Sequence, residues 1–522
     1  MIESMLSMLF LLPIGVFVFA GLFPNKNNNL ASMMGITQFA PFFSVAFSII
    51  GAYQVFNYGV LESELIGFNG MGFSIRLDAL SMVMFSMISV IAIVVLRFSY
   101  NYLDGDANQG KFLAELSLTI GLVQLLVLSG NIFGLFIAWV LTSLALHQLI
   151  VYFKDRKKAI VAARKKFIVA RLGDVTFLIA LILIFREFGT GNLTEIFEAL
   201  KQTKSVDLSV GVEIAAVLLV LTAGLKSAQI PFHSWLIEVM EAPTPVSALL
   251  HAGLLNAGPF LMIRFAYLLD AVSIAPVFLF VLGSLTAIYG ALVFTTQPNI
   301  KTSLAYSSVA HMGFTMMVCG LGVYSAALLH LVAHSFFKAH SFLSSGSVID
   351  QVRTNGASNY KRKGSVLRII GGLLFAVVIY LLVANLWGIN VDTEYQLLII
   401  GGIIFTSVMN LMVNTLDSSN YALSMLKIVG GTVLVLMSFF GLEELFRFTL
   451  GNQIPQLSEP TDLMKYLSAT ALGAFFLIVF LHLISPLIKK GSLHQKFGVH
   501  LRNGFYINIL VDRLTKTINQ RG

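Results

Sequence analysis

The chain has 522 residues, of which 57% are hydrophobic and only 11% are charged. With a mean hydropathy of +0.84, this composition excludes a soluble globular protein and predicts a polytopic membrane protein. The formal charge of +8 could suggest nucleic acid binding. The basic residues, however, cluster in short segments between apolar runs, where retention on the cytoplasmic side is the simpler cause.

Cys319 is the only cysteine, which excludes structural disulfides, cysteine-ligated iron–sulfur clusters and haem attachment through paired thiols.

Apolar runs that are long enough to cross a bilayer, about 20 residues each, follow one another along the chain. The first run has no basic residue before it, which favours a retained span over a cleaved signal peptide. The predicted fold is therefore an all-α polytopic membrane protein with about fifteen transmembrane helices. Its spans are predicted at residues 5–23, 36–56, 73–97, 112–128, 131–153, 167–186, 211–229, 244–269, 273–294, 301–322, 324–347, 366–386, 396–415, 421–440 and 466–485.

The loops between these spans predict the orientation of the chain. The loop Lys154–Lys166 holds seven basic residues and Arg353–Arg368 holds five, whereas the loops around Glu62, Asp392 and Glu443 are acidic. Fifteen crossings place both basic loops on one face and the acidic loops on the other. This pattern predicts an N-terminus outside the cell and a C-terminus in the cytoplasm.

Lys226 is the most informative residue, because it follows the apolar run 212–225 and precedes the helix-breaking segment 227–231, which ends in Pro231. A charge at that depth is expected to face the protein interior or a water-filled path, and proline favours a broken helix. Asp174 lies in the sixth predicted span and is the candidate partner of Lys226 in a proton relay. The alternative for Asp174 is an interfacial acid that pairs with Arg171 and only anchors the helix.

The eleventh span carries His330, His334 and Lys338 at a spacing of four residues. At 100° per residue these three side chains fall on one helix face, and His340 does not. No cysteine or carboxylate stands nearby to complete a zinc site, and a bis-histidine haem site lacks partners. Because histidine titrates near neutral pH, the row is interpreted as a proton wire, against the alternative that each histidine has only a packing role.

Three further intramembrane polar residues extend this candidate path. His251 follows the segment 247–250 in the eighth span, and His311 follows Tyr306 in the tenth. Lys301 begins the tenth span and either belongs to the relay or extends its amine to the membrane surface.

Several motifs then occur in a characteristic order over residues 73–350 and resemble the antiporter-like subunits of respiratory complex I (NuoL type) and of multisubunit sodium/proton antiporters. The resemblance implies a fold of two inverted five-helix repeats, each with a broken helix, and places path positions at Asp174, Lys226, His251, Lys301, His330, His334 and Lys338. The motifs are Lys226–Leu236, Ala242–Ala252, Ile300–Ser307 and His330–Ala339.

Two departures from this family pattern stand out. Members usually carry a glutamate after the tryptophan of the fifth span, but here Trp139 is followed by Val140. Asp174 would then be the main counter-charge of Lys226, or His147, roughly 10 Å along the same helix face from Val140, would serve as an added relay. The second broken helix of the family has no counterpart in the segment 366–414.

These departures, with the runs 251–258 and 503–506, resemble a branch of the family, the DabB membrane subunits. Those subunits pair with the large soluble zinc protein DabA in bacterial complexes that accumulate inorganic carbon. The resemblance implies that protons or sodium ions flow down their gradient through this chain and drive hydration of carbon dioxide to bicarbonate in the partner. It also implies a bacterial cytoplasmic membrane location, a zinc-containing partner on the cytoplasmic face, and no cofactor or catalysis in this chain.

The alternative is a proton-pumping subunit of complex I or of a multisubunit Na⁺/H⁺ antiporter. A structural scaffold is a further alternative. An independent enzyme is disfavoured, because the sequence has no nucleotide-binding loop, hydrolytic constellation or cofactor fingerprint.

The predicted organisation has five segments: an N-terminal three-helix segment (1–110), a first antiporter-like repeat (111–270), a second, partly degenerate repeat (271–415), C-terminal helices (416–485) and a basic tail (486–522). For the tail, the sequence leaves three alternatives: it lies along the membrane surface, it binds a cytoplasmic partner, or it is solvated.

Overall fold

The computed structural model describes residues 2–22, 30–153, 156–202, 208–346, 366–390, 394–415, 421–484, 492–509, 511 and 513. Helices dominate these residues, since the long apolar runs satisfy their backbone hydrogen bonds internally, as a bilayer requires. The helices are α1 Ile2–Met8, α2 Leu11–Leu22, α3 Leu30–Tyr58, α4 Ala79–Tyr102, α5 Gln109–Leu128, α6 Ile132–Ile150, α7 Lys157–Phe188, α8 Leu193–Gln202, α9 Val210–Lys226, α10 Ser234–Glu238, α11 Thr244–Ala252, α12 Ala257–Arg264, α13 Ala266–Asp270, α14 Ile274–Phe294, α15 Ile300–Gly320, α16 Tyr324–Leu343, α17 Val366–Trp387, α18 Tyr395–Thr415, α19 Tyr421–Leu450, α20 Asp462–Ile484 and α21 Ser492–Arg502.

Helical structure occupies each of the fifteen predicted spans. Among the described residues, 10 helices are by themselves long and apolar enough to cross a membrane. The predicted all-α polytopic architecture is confirmed. The division of the chain into five segments stays a prediction.

Two small sheets, which the sequence analysis did not predict, lie between α3 and α4. Strand β1 (Leu61–Glu62) pairs antiparallel with β4 (Arg76–Leu77), and β2 (Ile66–Phe68) pairs with β3 (Met71–Phe73). Asn69 and Gly70 join β2 to β3 with positive φ angles of 50° and 75°, as a tight hairpin requires. The third span was therefore predicted to begin too early, at residue 73. Its helix starts at Ala79, where Asp78 caps it by accepting a hydrogen bond from the Ser81 amide at 2.8 Å.

The seventh span is broken as predicted. Helix α9 ends at Lys226, and the next helix, α10, begins only at Ser234. Between them Ala228 has a φ of 52°, which non-glycine residues rarely adopt and which surrounding packing must hold. The eighth predicted span, 244–269, is also interrupted, because Gly253 leaves helical geometry between α11 and α12. In contrast, α17 and α18 have no such interruption, as expected for the segment that lacks the second broken helix.

Two regions predicted as loops are helical. The basic segment 154–166 was assigned to a loop, but α7 begins at Lys157 and buries both Lys165 and Lys166. Glu443 was also assigned to an acidic loop, but it lies within α19 and is 2% exposed. In both cases the charged side chains interrupted the apolar run without interrupting the helix.

Part of the basic tail packs against its own chain. The carbonyl oxygen of Gly504 accepts a hydrogen bond from the Tyr289 hydroxyl at 3.0 Å, and the Asn508 amide donates to Tyr306 at 3.4 Å. Tyr289 also lies 3.0 Å from Nε2 of His233, in the segment that follows the break after α9. The described end of the tail is thus bound to α14 and α15, which none of the three alternatives for the tail anticipated.

Candidate ion path

Lys226 is the last residue of α9, and its amine lies against α6. Nζ donates to the carbonyl oxygen of Trp139 at 3.3 Å and is 4.3 Å from the centre of the Trp139 ring. A cation over an indole face is attracted by the ring quadrupole. The break after α9 therefore ends the helix with its ammonium directed at a neighbouring helix.

Asp174 lies near the middle of α7, about 25 Å along the helix axis from Lys157. Asp174 is 8% exposed, and its carboxylate pairs with Arg171, with 2.7 Å between Nη2 and Oδ2. Its other electrostatic partners are Lys226 and Lys166. No pair within 4.0 Å joins Asp174 to Lys226 in the part of the chain that the structure describes, so the two groups interact at longer range. Asp174 thus pairs with Arg171, as one of the two alternatives for this residue expected. It also interacts at longer range with Lys226, its candidate partner in the other alternative.

Val140 follows Trp139 on α6, and His147 lies in the last turn of the same helix. The imidazole of His147 is 5.4 Å, centre to centre, from the Phe167 ring of α7. It interacts electrostatically with Lys166 and Arg171. His147 therefore faces the same group of charges as Lys226 and Asp174.

A second group of titratable side chains lies between α11, α15 and α16. Nδ1 of His311 is 3.2 Å from Nε2 of His330. The ring centre of His311 is 5.2 Å from that of His334, and the rings of His330 and His334 are 6.2 Å apart. The predicted row of histidines on α16 is confirmed as one face, and α15 adds His311 to it.

Lys338 and His251 complete this group. Lys338 is fully buried, and its amine donates to the carbonyl oxygen of Leu304 at 3.0 Å. His251 is buried and stacks on Phe342 with 4.3 Å between ring centres. Among the described residues, neither ring nitrogen of His251 or of His334 has a hydrogen-bond partner.

Hydrogen bonds between residues that neighbour the two groups cross the interrupted eighth span. The Ser227 hydroxyl, next to Lys226, donates to the Leu255 carbonyl at 2.7 Å. Asn256 follows Leu255, and its side-chain amide donates to the Ser335 hydroxyl at 2.7 Å. Ser335 lies on α16 and follows His334 in sequence. Gly258 permits this close approach, because a Cβ there would lie 2.1 Å from the Ser227 hydroxyl oxygen.

Lys301 has a partner outside both groups. Its amine donates to the Thr244 hydroxyl at the start of α11, at 3.1 Å. Lys301 thus links the starts of α15 and α11, and its contribution to the path stays a prediction.

Sequence reasoning missed three buried polar contacts near this path. The Lys166 amine donates to the Ser143 carbonyl oxygen at 2.6 Å, and Lys165 pairs with Glu238 of α10. The Ser325 hydroxyl donates to Glu443 at 2.6 Å. The sequence signal that could have revealed these contacts is the position of the charged residues directly beside apolar runs. A helix that continues from the apolar run into such residues can bury their side chains.

Within the described ranges, no group of three or more His, Cys, Asp or Glu side chains is placed to hold a metal ion. The sites described above are therefore amines, imidazoles and one carboxylate. Such groups can transfer protons by gaining and losing them in turn.

Comparisons with known proteins place this arrangement in a family. The sequence profile described as NADH:quinone oxidoreductase/Mrp antiporter, TM matches residues 129–434, and the N-terminal profile of complex I chain 5 matches residues 67–113. A probable inorganic carbon transporter subunit DabB2 of Halothiobacillus neapolitanus is 36% identical over 86% of this chain and 81% of its own length. The DabB subunit of Hydrogenovibrio crunogenus is 38% identical over 66% of this chain and 64% of its own length.

A further relative is the NADH-ubiquinone oxidoreductase chain 5 of Metridium senile, which is 36% identical over 59% of this chain and 50% of its own length. The Mrp complex of Dietzia sp. DQ12-45-1b shares the fold, with a TM-score of 0.58 and 24% identity over 99% of this chain and 57% of that chain. An archaeal membrane-bound sulfane sulfur reductase aligns over 97% of this chain and 100% of its own, with a TM-score of 0.59 and 17% identity. The chain belongs to the family of antiporter-like membrane subunits shared by NADH:quinone oxidoreductases and Mrp antiporters.

Proposed function

We propose that this chain conducts protons, or sodium ions, across the membrane through the two connected groups of titratable side chains. The observation that carries the proposal is the cluster of His311, His330, His334 and Lys338, of which His334 and Lys338 are buried. The Asn256–Ser335 hydrogen bond links the helix of this cluster to the segment that follows the break beside Lys226. Buried ionisable groups are costly in a membrane protein and are retained where ions or protons pass. The proposed path residues are Asp174, Lys226, His251, Lys301, His330, His334, Lys338, His147 and His311.

The proposed setting is an energy-coupled complex that accumulates inorganic carbon in the bacterial cytoplasmic membrane. Two relatives that are 36% and 38% identical carry the name of inorganic carbon transporter subunit, and Val140 stands where antiporter subunits usually have a glutamate. Ion flow through this chain would drive carbon dioxide hydration in a large soluble DabA-like partner on the cytoplasmic face. Zinc chemistry belongs to that partner, and this chain holds no cofactor and performs no catalysis of its own. Its N-terminus lies outside and its C-terminus in the cytoplasm.

A respiratory or antiporter subunit is the second candidate, because the Metridium senile chain 5 is also 36% identical. That protein's name refers to NADH and ubiquinone. Such a subunit would use the same titratable groups but would couple them to quinone chemistry or to counter-transport. The partners distinguish the two functions. Copurification with a large soluble zinc protein supports carbon accumulation, and copurification with a set of membrane subunits supports the respiratory alternative.

Lys226→Ala tests the ion path directly. The change removes the amine that contacts Trp139, so gradient-dependent function in cells should be lost while the protein still reaches the membrane. The measurement is growth of a carbon-accumulation-deficient host at ambient carbon dioxide, with membrane content determined by immunoblot. Lys111→Ala is the control, because Lys111 is an exposed lysine at the start of α5. Unchanged growth of the Lys226→Ala strain would contradict the proposal.

A further inference from the structure

Lys166 is a buried amine to which neither the sequence pattern nor the family motifs assign a function. It lies on α7, about 13 Å from the first residue of the helix, and is 5% exposed. Its Nζ donates to the backbone carbonyl of Ser143 at 2.6 Å and to the Ser143 hydroxyl at 3.0 Å. A lysine at such a depth is costly unless its charge is compensated or used.

The charges around Lys166 do not compensate it. From α9 it faces Lys226, and from α7 it faces Arg171 and Asp174. On α6 its neighbours are Ser143 and His147, and α10 contributes Glu238, which pairs with the adjacent Lys165. Asp174 already pairs with Arg171, and a guanidinium stays protonated. Among the described residues of this site, Lys166, Lys226 and Arg171 thus share the single carboxylate of Asp174.

The two amines bind consecutive turns of α6. Lys226 donates to the carbonyl of Trp139 and Lys166 to the carbonyl of Ser143, four residues later. Carbonyls four residues apart lie on one helix face and are separated by about 6 Å along the axis. The next position of the same row is His147. Trp139, Ser143 and His147 therefore arrange Lys226, Lys166 and an imidazole in order along one face of α6.

We propose that Lys166 is a second proton-carrying amine of the ion path, which exchanges a proton with Lys226 along this face of α6. In the transfer the N–H bond of the Lys226 ammonium breaks and an N–H bond forms at the neutral Lys166 amine, so that total charge is unchanged. Asp174, within electrostatic reach of both amines, stabilises the positive charge on either one. Lys166 thereby supplies the second titratable group of a switch whose family carboxylate is replaced by Val140. This inference rests on the proposed conduction of protons.

The test uses the full-length chain with the partner that copurifies with it, reconstituted in liposomes under an imposed membrane potential. Proton uptake is measured against external pH for the unchanged protein, K166Q, K166R and K166H. Arg164→Gln is the matched control, since Arg164 is an exposed cation on the same helix. Thermal unfolding and membrane content verify that each variant folds.

K166Q and K166R should both lower proton uptake at least about ten-fold, as expected when a positioned proton-transfer group is removed. K166R is informative because a guanidinium can still donate to Ser143 but cannot release a proton. K166H should retain conduction with its pH profile displaced towards lower pH, because imidazole titrates near neutral pH. Arg164→Gln should conduct like the unchanged protein.

Uptake that survives in K166R, or a K166H profile identical to that of the unchanged protein, would assign Lys166 a structural role and overturn the inference. If the unchanged protein itself conducts no protons, the proton form of the proposed function fails together with the inference. The two failures are therefore distinguishable. Should K166Q fail to fold, the comparison of K166R with K166H still decides the question.

Discussion

Arg264 and Asp78 form a buried ion pair outside the proposed path. Both side chains are at most 3% exposed, and Asp78 also accepts a 2.8 Å hydrogen bond from Nε of Arg76. Burial by itself raises the pKa of Asp78, but the charges of Arg264 and Arg76 outweigh it and hold that pKa well below the ordinary value of 3.8. The ion pair connects Asp78, the N-cap residue of α4, to Arg264, the last residue of α12.

Arg264→Met should therefore destabilise the protein by about 3–5 kcal/mol, because it leaves a buried carboxylate without its main counter-charge. The measurement is thermal or denaturant unfolding in detergent. Arg447→Met is the matched control, since the Arg447–Glu394 pair is 3.0 Å long but partly exposed and is worth at most about 1 kcal/mol.

The pH dependence of stability provides a second readout for the same variant. Since the folded-state pKa of Asp78 is lowered, its stabilisation is present above pH 3.8 and is lost as the pH falls through the lower folded value. The unchanged protein should lose this stability on acidification, and Arg264→Met should lose less. Equal stability losses for the Arg264 and Arg447 variants would contradict the assigned role of the buried pair.

At the scale of elements, glycines determine how closely α14 and α15 pack. A Cβ on Gly313 would lie 2.4 Å from the backbone nitrogen of Ala287 and 2.8 Å from the carbonyl oxygen of Gly283. Backbone atoms cannot move aside as flexible side chains do. Small residues at such interfaces allow membrane helices to approach closely. This contact places the helix that carries His311.

Gly313→Ala should destabilise the protein by about 1–3 kcal/mol through overpacking. Gly473→Ala is the control, because Gly473 lies within α20 with no atom within 4 Å of an added Cβ. Alanine there should stabilise the helix by up to about 1 kcal/mol. Thermal unfolding of the two variants in detergent should thus shift in opposite directions. A stabilising Gly313→Ala would contradict the described packing of α14 on α15.

At the scale of the whole molecule, the proposed conduction requires contact between the two groups of titratable side chains. Lys226 belongs to the first group of titratable side chains, and the histidines of α16 belong to the second. The connection is the amide of Asn256, which donates to Ala252 and to Ser335. A break at this position would separate the two groups without removing any titratable residue.

Asn256→Leu should lower ion flux in reconstituted liposomes. Loss of the buried donor to Ser335 costs about 1–3 kcal/mol, and a cost of that size on the barrier to transfer lowers the rate by roughly five- to 160-fold. Asn57→Leu is the control, because the Asn57 amide makes the same contact with the carbonyl four residues earlier but is exposed on α3. Flux that is unchanged in Asn256→Leu would mean that the two groups conduct independently.

The sequence by itself determined the fifteen helical segments, the break before Pro231 and most of the candidate path residues. These are local properties, because the length of an apolar run, the missing amide of proline and the spacing of histidines on one helix can be read without knowing what lies nearby. The same local reading failed at residues 154–166 and at Glu443. There charged side chains were placed outside the spans, although the helices include Lys157–Lys166 at one position and Glu443 at the other.

Only the tertiary structure decided which polar groups meet. Lys226 and Trp139 are 87 positions apart in sequence, and Asn256 and Ser335 are 79 apart. Helix packing sets such contacts, and no local pattern specifies which carbonyl or hydroxyl a buried amine will bind. The burial of Lys166 was decided in the same way, because α6 and α9 enclose a residue that the sequence alone assigned to a loop.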